Sequence, residues 1–274
     1  MNAIALGKGA AFGVDLWTKA EVSITDEPHI VKGEITSDPA ESTVLIEKTV
    51  ARVLGHFRVS EQFGAKVKTW SNIPIARGLK SSSAAANAVA LASVAALDKQ
   101  LDDLSIVQLG VEAAFDAKVT VTGAFDDACA SYFGGAVITD NLSRKIVKRA
   151  ILPEELTVLF HVPQKKSYTA DSDVKKLKTI EPFVKVVYRE ALSGDFWAAL
   201  TLNGLVYSMA LGLDTPVAMD ALAAGALAAG LCGKGPAVTV VVQDDKVDAV
   251  KAALRCHEGE VLRACMNREK AMVI

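Results

Sequence analysis

The sequence predicts a mixed α+β fold, and three observations support this class. The first third of the chain alternates apolar and polar residues, as strands of half-buried sheets do. Several stretches carry apolar residues at helical spacing, and one of them is rich in alanine, a strong helix former. In the second half, short strand-like runs and helical runs are mixed in one layout, which favours α+β.

In the first half we expect strands at Ala3–Leu6, Leu16–Thr25, Ile30–Ile35, Gly64–Trp70 and Ala136–Thr139. Helices are expected at Glu41–Phe57, at Asp103–Ala117 and in the alanine-rich run that ends at Leu97. The glycine-rich stretch Gly7–Gly13 is interpreted as a loop between the first two strands.

The residue pattern changes near residue 150, where charged turn residues surround a short strand. We therefore expect two domains, residues 1–150 and 151–274. Strands of the second domain are expected at Leu156–Val162, Val238–Val242, Val261–Ala264 and Ala271–Ile274. Its helices are expected at Pro182–Leu192, Asp195–Leu211, Thr215–Ala229 and Lys246–Leu254.

The composition narrows the class of protein. The 274 residues are 51% hydrophobic with a formal charge of −2, which is typical of a soluble globular protein. Because basic residues are not in excess, nucleic acid is not an expected partner. The apolar windows are too short for a membrane span, and the first residues do not follow the pattern of a signal peptide, so we expect a cytoplasmic protein. The four cysteines form no Cys-x-x-Cys pair, so free thiols are expected.

The most informative stretch is Pro74-Ile-Ala-Arg-Gly-Leu-Lys-Ser-Ser-Ser-Ala84, a loop that runs into the alanine-rich helix. A helix start leaves backbone N–H groups unpaired and carries a partial positive charge. Lys80 and Arg77 add formal charge beside it. The stretch therefore predicts an anion site that suits a phosphate. The alternative is an ordinary helix whose serines cap its first turn.

A second candidate site is Thr122-Gly-Ala-Phe-Asp-Asp-Ala128, where two acids stand among small and apolar residues. Two neighbouring buried carboxylates do not both ionise easily unless a cation is near. Such pairs occur in catalytic and metal sites. The alternative is a helix capped by Asp126 or Asp127.

Three motifs follow one another along the chain: Gly7-Lys8 with Gly13-Val-Asp15, then Gly78-Leu-Lys-Ser-Ser-Ser-Ala84, then Gly233-Lys-Gly-Pro-Ala237. The ordered set resembles the GHMP kinases, which include galactokinase, homoserine kinase and mevalonate kinase. Lys80 departs from the small residue of the family pattern, and Lys234 departs from its usual hydroxyl residue. Together with the Asp126-Asp127 segment, the serine loop is most similar to the archaeal type of shikimate kinase.

The resemblance implies a fold, a reaction and partners. The implied fold is the GHMP kinase two-domain fold, with an N-terminal domain like ribosomal protein S5 domain 2 and a ferredoxin-like C-terminal domain. The implied reaction transfers the γ-phosphate of ATP to the 3-hydroxyl of shikimate, in aromatic amino-acid biosynthesis. The partners would be ATP, Mg²⁺ and shikimate, with the chain a monomer or homodimer.

The resemblance also implies residue roles. Asp127 would be the catalytic base, with Asp126 as the alternative and Lys8 beside it as a cation. Mg²⁺ would be held by Ser82, Ser83 and Glu112, with Asp116 as the alternative to Glu112. The nucleotide would be bound by Pro74, Ile75, Ala76, Arg77, Gly78, Leu79, Lys80, Ser81, Ser82, Ser83 and Ala84. The substrate would meet Asp15, Lys165, Lys166, Tyr168, Gly233 and Gly235.

Some alternatives stay open at this level. Arg144 competes with Lys165 and Lys166 as the ligand of the substrate carboxylate. Another GHMP small-alcohol kinase, acting on homoserine or mevalonate, is the nearest alternative function. A GHMP-fold sensor without catalysis would lack the acids or the serine loop, and both are present here.

Overall fold

The computed structural model describes residues 1–153, 155–164, 174–213 and 215–274. Its architecture is mixed α+β, as predicted. The first half contains β1 (Lys8–Phe12), β2 (Thr18–Thr25), β3 (Val31–Ile35), α1 (Val44–His56), β4 (Gly64–Ser71), α2 (Ser81–Ala96), α3 (Asp103–Asp116), α4 (Phe125–Phe133), β5 (Ala136–Asp140) and β6 (Lys145–Ala150).

The first half builds two small sheets. Strands β2, β4 and β3 form one sheet in that order, with β3 parallel to β4 and β2 antiparallel to it. Strands β1, β5 and β6 form the other in that order, and both of its pairs are antiparallel. The apolar faces of α1 and α2 cover the first sheet, with Val50, Val67 and Val89 fully buried between them.

The second half contains β7 (Leu156–Val162), α5 (Val174–Lys178), α6 (Glu181–Ser193), α7 (Phe196–Leu211), α8 (Pro216–Ala223), β8 (Ala228–Leu231), β9 (Val238–Gln243), α9 (Val247–Arg255) and β10 (Glu260–Cys265). Its antiparallel sheet has the order β10-β7-β9-β8. With helices between the first and second and between the third and fourth strands, this is a ferredoxin-like arrangement. Helices α7 and α9 lie against the sheet and close a core around Leu159, Val240 and Leu254.

Three predicted elements are wrong. Residues 3–6 form a turn, and the first strand is β1, inside the stretch interpreted as a loop. The helix predicted at Thr215–Ala229 ends at Ala223, and residues 228–231 form β8, because these small residues pair with β9 in the core. The predicted strand Ala271–Ile274 has no β structure. In the first two cases pairing with a distant strand, β5 or β9, decides the outcome, and local pattern does not encode such a pairing.

The two halves of the chain meet at several backbone contacts. Val14 bridges to Met266, and the Ala237 N–H donates to the Arg77 carbonyl at 3.1 Å. The proposed domain boundary near residue 150 falls at the end of β6. Within the described ranges, no helix combines the length and the apolarity that crossing a membrane requires.

Candidate active site

The serine loop ends in α2, and Lys80 is the residue that precedes the helix. Its backbone is left-handed, with φ 66°, and no side chain caps the helix start. Because Ser81, Ser82 and Ser83 occupy the first turn, their hydroxyls are not used as caps. The start of α2 therefore keeps the uncapped positive end that an anion site needs.

The Asp pair lies in the first turn of α4, which also begins without a side-chain cap. Asp126 and Asp127 are thus not caps, and both carboxylates are placed at the positive end of a helix. Asn87 of α2 donates its Nδ2 to the Ala128 carbonyl of α4 at 2.8 Å and so joins the two helices. The serine loop and the Asp pair form one site.

Lys80 and Asp127 are in direct contact, with Lys80 Nζ 2.8 Å from Asp127 Oδ2. The Lys80 side chain is 31% exposed to solvent, and the Asp127 side chain is 12% exposed. Burial alone lowers the pKa of Lys80, but the charges of Asp127 and Asp126 outweigh this and raise it. Lys80 is therefore a permanent cation, and it is the counter-ion of the Asp pair.

Asp126 is held from two sides. Asn141 Nδ2 donates to Asp126 Oδ1 at 2.8 Å, and the Thr139 hydroxyl donates to Asn141 Oδ1 at 2.6 Å. On the other side lies Gly9 of β1, where an added Cβ would stand 2.3 Å from Asp126 Oδ2. Burial first, and then the charge of Asp127, raise the pKa of Asp126 to about 6.

The third motif closes over Lys80 from the second half of the chain. A Cβ at Gly233 would lie 2.5 Å from Lys80 Cε and 2.6 Å from its Nζ, so only glycine lets the lysine occupy this position. Gly233 also has φ 65°, which favours glycine. In the same loop the Gly235 carbonyl packs against Gly78. The lysine is thus enclosed between the two halves.

These residues line one cavity of about 580 Å³, to which both halves of the chain contribute. Lys80, Ser82, Ser83, Asp126, Asp127 and Gly233 lie on its wall. Its size suits a small molecule together with part of a nucleotide. A positive helix end, a lysine and two carboxylates therefore face one enclosed volume.

Comparisons with known proteins agree with this geometry. Residues 45–135 match the family described as GHMP kinases N terminal domain. The chain is 45% identical over 274 residues to the shikimate kinase of Methanosarcina mazei, covering 99% of this chain and 92% of that one. It is 46% identical over 250 residues to the shikimate kinase of Pyrococcus abyssi, covering 89% and 88%. The chain belongs to the GHMP kinase family.

Solved structures of GHMP kinases share the fold at low sequence identity. A homoserine kinase from Cytophaga hutchinsonii has a TM-score of 0.74 at 18% identity, covering 95% of this chain and 90% of that one. Lactococcus lactis galactokinase, solved with galactose, has a TM-score of 0.75 at 15% identity, covering 99% and 91%. The GHMP kinase two-domain fold predicted from the three motifs is confirmed.

Two basic residues of this GHMP kinase do not lie where the sequence predicts. Lys8, expected beside Asp127, has its Nζ 2.8 Å from Asp140 Oδ2, because the β1–β5 register places these residues opposite each other. Arg77, expected to add charge to the phosphate site, donates instead to the Pro163 carbonyl. Lys80 provides the charge that was expected from both.

Glu112 lies in an ion-pair cluster and is not on the cavity wall. Its Oε1 is 2.9 Å from Arg144 Nη1 and its Oε2 is 3.4 Å from Arg52 Nη1. Asp116, the alternative metal ligand, accepts from Arg52 Nη2 at 2.7 Å. Both carboxylates are thus neutralised by arginines, and Arg144 is likewise occupied. This arrangement disagrees with the predicted metal role of Glu112.

The remaining predicted residues divide into three groups. Of the nucleotide loop, Leu79, Lys80, Ser82, Ser83 and Ala84 reach the cavity, whereas Pro74, Ile75 and Arg77 border a separate, smaller pocket. Asp15 lies on the cavity wall and accepts from the Cys265 N–H at 2.8 Å. Lys165, Lys166 and Tyr168 lie outside the described residues.

Sequence reasoning missed Gly9, Thr139 and Asn141, the residues that hold Asp126. Gly9 stands in a stretch that composition marks as a loop, and nothing local distinguishes the two polar residues from an ordinary strand end. Only the pairing of β1 with β5 brings them to α4. Residues 267 and 269–274 also line the cavity without a sequence signal.

Asp126→Asn is expected to stabilise the protein at neutral pH. Unfolded Asp126 loses its proton near 3.8, whereas the folded protein retains it to about 6. Between these values the folded state binds more protons, so the free energy of unfolding falls as pH rises. The asparagine avoids this cost of about 1–3 kcal/mol. Thermal unfolding should show a higher Tm at pH 7.5, with the gain shrinking towards pH 4.

The exposed Asp245 provides the control, because a side chain in solvent contributes little to stability and Asp245→Asn should change Tm at pH 7.5 far less than Asp126→Asn does. An Asp126→Asn variant that is less stable than the wild type at every pH would contradict the argument.

Proposed function

We propose that this GHMP kinase is a shikimate kinase, which transfers the γ-phosphate of ATP to the 3-hydroxyl of shikimate. The observation that carries the proposal is the contact between Lys80, at the uncapped start of α2, and Asp127 in a shared cavity. The contact supports the proposal because an uncapped helix start, which suits a phosphate, lies beside a carboxylate that can accept a hydroxyl proton. The relatives named as shikimate kinases support the choice of acceptor.

The proposed division of labour follows from the geometry. Backbone N–H groups at the start of α2, with Lys80, bind the phosphates. Asp127 is the base, because Asp126 is more deeply buried and already accepts from Asn141. In the transfer, Asp127 accepts the proton of the acceptor hydroxyl, whose oxygen attacks the γ-phosphorus while ADP leaves. Asp126 and Asn141 position the first turn of α4.

We include Mg²⁺ in the proposal as an ion that binds together with ATP, because the residues of the cavity could supply only part of its ligands. Among the described residues, no three His, Cys, Asp or Glu side chains are grouped so that they could hold a metal ion by themselves. Ser82 and Ser83 supply hydroxyl oxygens at the start of α2, and Mg²⁺ prefers oxygen and retains waters. When bound with ATP, the ion would neutralise phosphate charge.

Glu112→Gln is expected to leave the Mg²⁺ requirement unchanged, because Arg52 and Arg144 already occupy the carboxylate. Ser82→Ala or Ser83→Ala should instead raise the Mg²⁺ concentration needed for half-maximal rate. The measurement is a Mg²⁺ titration of ADP release at saturating ATP and acceptor. A higher Mg²⁺ requirement in the Glu112 variant alone would restore Glu112 as the ligand.

The acceptor is tested by a panel of alcohols. ADP release is measured with shikimate, homoserine and mevalonate at equal concentrations, since the fold is shared with kinases of different acceptors. We expect kcat/KM for shikimate to exceed the others by at least about 100-fold, since a site built for its hydroxyls rejects analogues that leave them unmatched. A higher kcat/KM for homoserine or mevalonate would contradict the proposal and identify a different small-alcohol kinase. No turnover with any of the three alcohols would favour a GHMP-fold sensor without catalysis.

A further inference from the structure

Lys80 is the residue at which this chain departs most clearly from the small residue that the GHMP pattern has in the serine loop. The structure shows what the Lys80 side chain contacts. The ammonium group contacts Asp127, and Gly233 packs against its last carbon. The lysine is therefore not a solvated surface charge but a part of the cavity wall.

The second observation is the charge balance of the site. Two carboxylates, Asp126 and Asp127, face this volume, and Lys80 is the cation in contact with Asp127. The first turn of α2, to which the proposed function assigns phosphate binding, lies directly after Lys80 in the chain. A base and a γ-phosphate that come together here repel each other, unless a cation stands between them.

The third observation is the donor capacity of Lys80. An ammonium group has three N–H donors, and the contact with Asp127 Oδ2 uses one of them. The others remain for a phosphoryl oxygen on the cavity side. Glu112 and Asp116, the predicted metal ligands, pair instead with Arg52 and Arg144 and do not line this cavity.

We propose that Lys80 is a catalytic residue that bridges Asp127 and the transferred phosphoryl group. This inference rests on the proposed kinase function and assigns Lys80 more than phosphate binding. The acceptor oxygen forms the new bond to phosphorus as the bond to the ADP oxygen breaks, and ADP takes the electron pair. The hydroxyl proton passes to Asp127. Lys80 keeps its own proton. Because Asp127 becomes neutral when it accepts the hydroxyl proton, the Lys80 ammonium then interacts more strongly with the phosphoryl oxygens than with Asp127.

Two variants test the bridge. Lys80→Met keeps the length of the side chain without its charge, and Lys80→Gly suits the left-handed backbone at this position. Both should lower kcat by about 100- to 1000-fold, the usual loss when one electrostatic donor is removed. The KM for ATP should change far less. Lys68→Met, at an exposed pair with Glu34 on β4, is the control and should leave kcat unchanged.

Chemical rescue separates a catalytic amine from a structural one. Methylammonium or ethylammonium chloride should raise the kcat of Lys80→Gly by at least about tenfold, because the small cation can occupy the position of the lost ammonium group. Tetramethylammonium chloride at equal concentration has no N–H donor and should restore nothing.

The outcomes are distinct. A kcat within threefold of the wild type in both variants would overturn the bridge, as would a loss confined to the KM for ATP. A wild-type protein that phosphorylates no alcohol would refute the proposed function itself, before Lys80 is tested.

Discussion

Asp127→Asn is expected to lower kcat by about 100- to 10,000-fold, the range that general base catalysis provides. The amide keeps the shape of the side chain but cannot accept the hydroxyl proton. Nucleotide binding should persist, because the start of α2 and Lys80 remain. The measurements are kcat with the acceptor and the Kd of a non-hydrolysable ATP analogue.

The neighbouring carboxylate supplies the comparison for this prediction. Asp126→Asn can still accept from Asn141, so α4 keeps its position, and its kcat should fall less than that of Asp127→Asn. If the Asp127 variant turned over near the wild-type rate while the Asp126 variant did not, the base would be Asp126.

Gly9→Ala is expected to damage both stability and activity. The new methyl group would stand 2.3 Å from Asp126 Oδ2 and 2.4 Å from its Cγ, so the carboxylate or β1 must move. Overpacking of this kind costs about 1–3 kcal/mol. A shift of about 1 Å in the Asp pair should lower kcat by about 100-fold. Urea unfolding and steady-state kinetics measure the two effects.

Gly55→Ala is the matched control, because it also adds one methyl group to a glycine of the first half. That position in α1 is open, with the nearest atom 4.0 Å away, and alanine favours helix. The control should be as stable as the wild type or more so, with unchanged kcat. A wild-type kcat in Gly9→Ala would contradict the prediction, because it would show that catalysis does not depend on the contact between Asp126 and Gly9.

The elements that sequence predicted best are those with local causes. The serine loop, the alanine-rich α2 and the helix that starts at Asp103 follow from propensity, punctuation and caps within a few residues. The side chain of Asp102, for example, accepts from the Ser105 N–H at 3.0 Å, as its position before the helix predicts. The small and apolar neighbours of the Asp pair also predict its burial, and the side chains of Asp126 and Asp127 are largely buried.

The failures share a different cause. Lys8 meets Asp140, which is 132 residues away, and Glu112 meets Arg52, 60 residues away. Such partners are chosen by sheet register and helix packing, which no local pattern records. The glycine-rich composition around Gly9 predicts a loop, and it gives no sign that the Asp126 side chain of a distant helix fills the space beside this residue.

The sequence by itself determined the family, the α+β class, the helix that follows the serine loop and the presence of an acidic pair. All of these depend on residues that are neighbours in the chain or on ordered motifs. Tertiary structure alone decided which cation serves the pair: Lys80, from the phosphate loop, and not Lys8. The reason is that an ion pair requires two side chains within about 4 Å, and only the folded chain sets that distance.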